Sequence, residues 1–265
     1  MGGSIGRSFS LALISGIPNR MEQWRDQGFV LSVRPHGESG AVVSVLTENH
    51  GRHAGYLHGA QSTKKRAMLE LGSLVSCDWS SRVEGQLGTF VLEPEGGLPY
   101  GVLDDPLKLS ALLSACALCD AALPEREGHP GLFHGFKTLI DMMNGNDVWA
   151  AAYIYWEIAF LKELGFGMDL TRCAGGGDSQ TLAYVSPKSG RAVSYEAGEP
   201  YKEKLLELPA FLKPNGGPVD VGEIYKGLKM TGYFLEHWAF AHHTKGVPEP
   251  RLRFEARYAK CKDNV

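Results

Sequence analysis

The stretch GFVLSVRPHGESGAVVSVLTENHGRHAGYLHGA, residues 28–60, decides the fold of the first third of this chain. Phe29, Leu31 and Val33 alternate with Val30, Ser32 and Arg34, the two-residue period of a strand with one buried face. His36-Gly37-Glu38-Ser39-Gly40 reads as a turn, and the apolar run 41–47 predicts a second strand. Asn49-His50-Gly51 predicts a tight turn into a third strand over 52–58. After the polar connection 59–66, runs at 74–79 and 88–92 complete five short strands. Five strands with period-two patterning predict a small barrel or sandwich. A five-stranded OB-type barrel is one solution, because closure removes exposed edges; an SH3-like barrel fits the same pattern.

Pro94 and Gly96-Gly97-Leu98-Pro99 break the strand pattern, and from Asp105 the period becomes helical. Pro106 suits a first helical turn, and 107–123 is apolar on nearly every face, so this helix is expected to be buried. Leu132, Phe133, Phe136, Leu139, Ile140 and Met143 form one stripe of a second helix. A third, with Asp147 as its cap, stacks Trp149, Tyr153, Trp156, Phe160 and Leu164 and stops at Gly165. Helical spacing favours core packing over a binding platform for that aromatic row. Residues 173–195 read as a hairpin, and Asp220 with Glu223 has capping-box spacing for a last helix. The expected organisation is α+β: an extension or arm over 1–20, a barrel over 21–99, and a helical domain over 100–265 carrying the hairpin.

The composition, 43% hydrophobic and 22% charged, is that of a core-forming chain, and no apolar run reaches membrane-spanning length. Five scattered cysteines read as reduced thiols in a cytoplasmic protein. The first 20 residues read as an extended start ahead of Met21, or else as a disordered arm. The net charge is −3, so any nucleic-acid signal must be local. Lys64, Lys65 and Arg66 form one basic run. Arg251, Arg253, Arg257, Lys260 and Lys262 form another against the single acid Glu255.

No catalytic constellation emerges. Ser62-Thr63-Lys64-Lys65 matches a loose S-x-x-K but lacks its companion motifs. Gly175-Gly176-Gly177 lacks the Gly-Lys-Ser/Thr ending of a phosphate loop. Cys116 and Cys119 lie in an apolar helix without a second pair, and His237, His242 and His243 do not share a helical face. What remains is cations beside a strand-rich module: Arg34, Arg52, Lys64, Lys65 and Arg66, joined by Arg251 and Arg253, to neutralise phosphates. Tyr56 and Trp79 are the aromatics available for base stacking or for the core.

Several stretches together resemble the RecO family. Residues 28–60 are similar to that family's barrel, with an Arg-x-x-Gly-Glu step, a Thr-Glu-x-His-Gly turn and a closing Gly-Ala. YWEIAFLKELGFGMDLTRC (155–173) resembles its helical-domain signature, and LAYVSPKSGRAVS (182–194) with GLKMTGYFLEHW (227–238) continues the match. The resemblance implies an N-terminal OB fold, a helical domain, and a hairpin element that holds zinc through four cysteines in many members. It also implies a recombination mediator: binding of single- and double-stranded DNA, strand annealing, contact with RecR and with the acidic tail of single-stranded-DNA-binding protein, and help in loading RecA. No cofactor, enzyme activity or membrane attachment is implied, and the expected location is the cytoplasm, at the nucleoid.

Two departures matter. Cys173 is the only cysteine of the hairpin element, and one thiolate cannot hold a structural zinc, so a metal-free, degenerate element is expected. Residues 21–99 carry seven Lys/Arg against nine Asp/Glu, so affinity for DNA is expected to be salt-sensitive and confined to one face. In the mediator reading the helical domain receives protein partners on apolar faces flanked by cations such as Lys137 or Lys162. The competing reading is a protein-interaction scaffold of the same fold whose net-acidic barrel has little DNA affinity of its own. A metal-dependent hydrolase using the histidines comes last.

Overall fold

The computed structural model describes residues 21–83, 85–145 and 147–262, except for the side chain of Lys64. The expectation for 1–20 lies outside the described residues.

Five strands close a barrel in the order β1-β2-β3-β5-β4: β1 (Glu22–His36), β2 (Gly40–Thr47), β3 (Gly51–Leu57), β4 (Leu74–Ser81) and β5 (Thr89–Gly96). This is the OB-type order, with one parallel pairing between β3 and β5 at Tyr56–Thr89 and Leu57–Phe90. β1 is longer than the sequence pattern predicts. Its first half pairs with β4 and its second with β2, and a register shift between Val30 and Ser32 bends it from one to the other. The early half escaped the pattern because Glu22–Gln27 is polar, and only Trp24 there packs toward the barrel core.

Val30, Val43, Val45, Leu57, Val75, Cys77, Trp79, Phe90 and Leu92 fill the barrel. Phe29, Leu31 and Leu46 face outward instead and belong to the helical core. Phe29 meets Phe133 and Phe136 at 5.0 Å each. Each such fully buried side chain is worth about 1.5–3 kcal/mol, so the two domains share a core.

The basic connection forms a short helix α1 (Thr63–Arg66), and a helical turn α2 (Tyr100–Leu103) leaves the barrel. The helical domain then follows as α3 (Pro106–Ala122), α4 (Pro130–Met143) and α5 (Trp149–Glu163). Asp105 caps α3 by accepting from the backbone N–H of Leu107 and Lys108. α5 starts with Val148 in the cap position, one residue beyond Asp147, so the expected Asp147 cap is not the one used. The aromatic row of α5 is core, as its spacing favoured: Trp149, Tyr153, Trp156 and Phe160 are all buried.

The hairpin is β6 (Leu182–Val185) with β7 (Ala192–Ser194), and β8 (Leu206–Glu207) adds a third strand beyond a short helix α6 (Tyr195–Gly198). Two residues are too few to show a period. α7 (Val221–Phe234) is capped by Asp220, which accepts from Glu223 N. The Glu223 carboxylate accepts from Ala210 N. The tail after Pro248 forms α8 (Glu249–Lys262), packed along α3.

A buried polar network ties these helices together. The Arg251 guanidinium on α8 donates to Glu157 on α5 and to the Leu228 carbonyl on α7. Thr231 and Tyr153 donate to the same carboxylate, and Ser114 on α3 bonds Tyr153 at 2.6 Å.

Candidate nucleic-acid interface

Barrel register sorts the predicted cations. Arg34 pairs with Val42 and Val42 with Tyr56, so Arg34 and Tyr56 project from one outer face, about 10 Å apart across two strand spacings. His36 lies two residues beyond Arg34, and His58 two beyond Tyr56. Their rings meet Tyr56 edge-on at 6.0 and 4.7 Å. The Tyr56 ring lies across Gly40, where a Cβ would overlap it. Only glycine leaves this room.

The basic connection sits beside this group. Gln61 N donates to the Ser39 carbonyl, which holds residues 59–62 against the β1–β2 turn. Lys65 Nζ donates to the His58 carbonyl at 2.6 Å, and Arg66 is exposed in the same helical turn. Lys64 belongs to that turn too, with its side chain outside the described residues. Arg34, Lys65 and Arg66 therefore gather at one end of the barrel with Tyr56 and two histidines. The histidines were legible only after the register was known, since period two then puts them on the cationic face.

Other expected residues are placed elsewhere. Arg52 shares the outer face but reaches into the helical domain: Nε donates to the Leu123 carbonyl at 2.7 Å, and a terminal nitrogen pairs with Glu125 at 3.2 Å. With 15% of its side chain exposed, its donors are held by protein groups. Arg251 is a correction. Its side chain is 1% exposed and bound by the Glu157 carboxylate, so it offers no phosphate contact. Burial works against its charge, but Glu157 beside it holds the guanidinium pKa above its ordinary value. Arg253 is exposed on α8, paired with Glu249, and lines a cleft of about 350 Å³ with Ser32 and Asp120 between barrel and helices. Of the two alternatives open for Trp79, the structure takes the core: it is buried, and its indole N–H donates to the carbonyls of Ala54 and Leu87.

The barrel's other end is a hydrogen-bonded aromatic cluster. Trp24 stacks on His50 at 4.2 Å, and His50 Nδ1 meets Asp26 at 2.8 Å. Burial raises the Asp26 pKa, but hydrogen bonds from His50, Asn49 and Gln27 outweigh it and hold it below the ordinary carboxylate value. His53, buried against Trp24 and Trp79, is pushed down to about 4, chiefly by desolvation.

The hairpin element does not fit a structural zinc. The Cys173 Sγ accepts from Ser194 N at 3.2 Å and lies beside Gly175 and Gly177, none of which supplies a ligand side chain. Among the described residues no group of three His, Cys, Asp or Glu side chains has metal-binding geometry. Cys116 and Cys119 are buried in α3, with thiol pKa values raised by desolvation. They pack as small apolar groups.

A second concave feature lies between α4 and α5. Its volume is about 550 Å³, and Leu132, Leu139, Met142, Tyr155 and Trp156 line it with Lys162 and Glu163 at the rim. Of the two cations expected to flank an apolar face of the helical domain, Lys162 lines this cavity and Lys137 is not among its lining residues. No helix of the described residues is long and apolar enough to cross a membrane.

Two family models cover most of the chain: Recombination protein O N terminal matches residues 21–92, and Recombination protein O C terminal matches residues 103–245. Curated relatives agree. The chain is 50% identical over 243 residues to a DNA repair protein RecO of Rhodospirillum centenum, covering 90% of this chain and 96% of that protein. It is 44% identical over 246 residues to one of Caulobacter vibrioides, covering 93% and 98%. A Rhodospirillum rubrum relative of the same description is 45% identical over 243 residues, covering 89% and 96%. The chain belongs to the RecO family of DNA repair proteins.

Proposed function

We propose that this chain is a recombination mediator that binds DNA without sequence preference on the outer face of its barrel and brings repair partners to it. The carrying observation is the convergence of Arg34, Lys65 and Arg66 around Tyr56 at one barrel end, in a domain that is otherwise net acidic. Cations track phosphates on single or double strands, and a partly exposed aromatic side chain among them suits unpaired bases. Strand annealing follows from holding two such strands with their base edges free.

The α4–α5 cavity supports the partner half of the reading. An apolar trough with Tyr155 and Trp156 in its wall and Lys162 at its rim suits a short acidic, apolar-ended peptide. The acidic tail of single-stranded-DNA-binding protein has that chemistry. Contact with RecR and assistance to RecA loading complete the mediator role, in the cytoplasm and at the nucleoid. The chemistry is binding and not bond-making.

The test is fluorescence anisotropy with a labelled poly-dT strand across a salt series. Wild type is expected to bind with a steep salt dependence. Changing Lys64, Lys65 and Arg66 together to Ala is expected to reduce the slope by about 2, roughly 0.7 for each single-strand phosphate that is no longer neutralised. Absence of binding at low salt refutes the DNA reading and leaves a scaffold that reaches DNA through its partners.

A further inference from the structure

We propose that Tyr56, edged by His36 and His58, is a base-stacking platform that gives the barrel a preference for unpaired bases over bare phosphate backbone. The inference rests on the DNA-binding reading and adds to it which side chain touches the bases.

Three observations carry it. First, the phenol end of the ring lies over Gly40 in the space that a Cβ would take, so any side chain there would overlap it. Tyr56 is consequently half-buried, resting on backbone and not standing out into solvent. Second, both ring neighbours meet it at 83°, so neither holds the parallel position that a base would take. Third, the platform is framed by cations. Arg34 lies two strands away on the same face, and Lys65 is anchored on the His58 carbonyl.

The barrel's other large aromatics are excluded on geometry. Trp24 is stacked by His50 and by Trp79 at 4.2 and 5.5 Å, and Phe29 is held among the helical-domain rings. Trp79 and Phe90 fill the interior. Tyr56 is thus the barrel ring that is partly exposed, has cations beside it and carries no ring stacked parallel on it. A base laid on it would put its flanking phosphates toward Arg34 on one side and the basic turn on the other.

The test compares a dT oligonucleotide with an abasic strand of equal length, which keeps every phosphate and removes every base. Wild type is expected to favour dT by about 5–150-fold, the range that one stacked base supplies. Tyr56→Leu is expected to abolish that preference while leaving abasic affinity and the salt slope unchanged. Tyr56→Phe is expected to retain the preference. Gly40→Ala, which displaces the ring without removing it, is expected to reduce the preference as well. Equal wild-type affinity for the two strands, or an undiminished dT preference in Tyr56→Leu of native thermal stability, overturns the platform while leaving phosphate binding intact. Absence of binding to either strand overturns the underlying DNA reading, and the platform falls with it.

Discussion

Arg251 and Glu157 form a fully buried bidentate pair: Nε donates to one carboxylate oxygen at 2.5 Å and a terminal nitrogen to the other at 3.1 Å. Their residues lie 94 positions apart in the chain. The pair locks α8 onto α5 and, through Thr231, onto α7.

Removing one partner strands a charge in the core. Arg251→Leu or Glu157→Leu is expected to cost about 3–5 kcal/mol in denaturant unfolding. The double replacement is expected to recover much of that loss, because an apolar pair needs no desolvation of charge. Affinity for DNA, measured on folded protein, is expected to be unchanged by the double replacement, in contrast to the basic-turn triple variant.

His53 makes the barrel acid-sensitive. Its pKa is near 6.5 unfolded and about 4 folded, with desolvation as the main cause. Between those values the unfolded chain binds the extra proton, so stability rises with pH. The contribution is complete above pH 6.5 and lost as pH falls toward 4. Allowing for partial solvent screening it amounts to about 2 kcal/mol. His53→Met is expected to flatten this part of the stability curve, followed by thermal melts at pH 7, 5.5 and 4.5. Asp26 titrates below its ordinary value and acts in a separate, more acidic window.

Gly51 lies against the Glu127 backbone, where barrel and helical domain meet. Its φ is +67°, and a Cβ would overlap the Glu127 carbonyl. Gly51→Ala adds left-handed backbone strain of about 1–2 kcal/mol to that clash. A loss of at least about 2 kcal/mol is expected, with hydrogen exchange accelerated around Arg126, whose N–H donates to the Arg52 carbonyl beside it.

The cysteines are expected to react in order of accessibility and acidity. Cys261 is partly exposed, whereas Cys77, Cys116 and Cys119 are buried with raised pKa values. Burial raises the Cys173 pKa, but hydrogen bonds from Ser194 and the backbone at Gly175 and Gly177 bring it below the ordinary value. Brief native alkylation is expected to mark Cys261 first and Cys173 next, with the other three reacting only on unfolding. Peptide mass mapping reads the order.

The barrel was legible in the sequence because Phe29 to Val33 and Ala41 to Thr47 are short apolar runs bounded by turn residues, although both faces of these strands are buried, one inside the barrel and one against the helices. The buried helices were legible for the same kind of reason. Tertiary pairing was not. Nothing local distinguishes Arg251, which faces a carboxylate 94 residues away, from Arg253, which faces solvent two residues on. Arg52 likewise lost its expected role to Leu123 and Glu125, on a loop whose docking no strand pattern reveals. The Tyr56 cluster lay between these cases. Its residues were visible, and their common face followed only from the β1–β2–β3 register.

The three outward-facing residues Phe29, Leu31 and Leu46 have a mechanical consequence. They run the core of the helices onto the barrel wall, so a rotation of one half against the other would have to break buried contacts. Phe133 and Phe136 press on Phe29 from α4, the helix that also supplies Leu132, Leu139 and Met142 to the apolar cavity. Five residues further along the same strand stands Arg34. Any displacement of α4 would therefore bear directly on β1, the strand that carries Arg34.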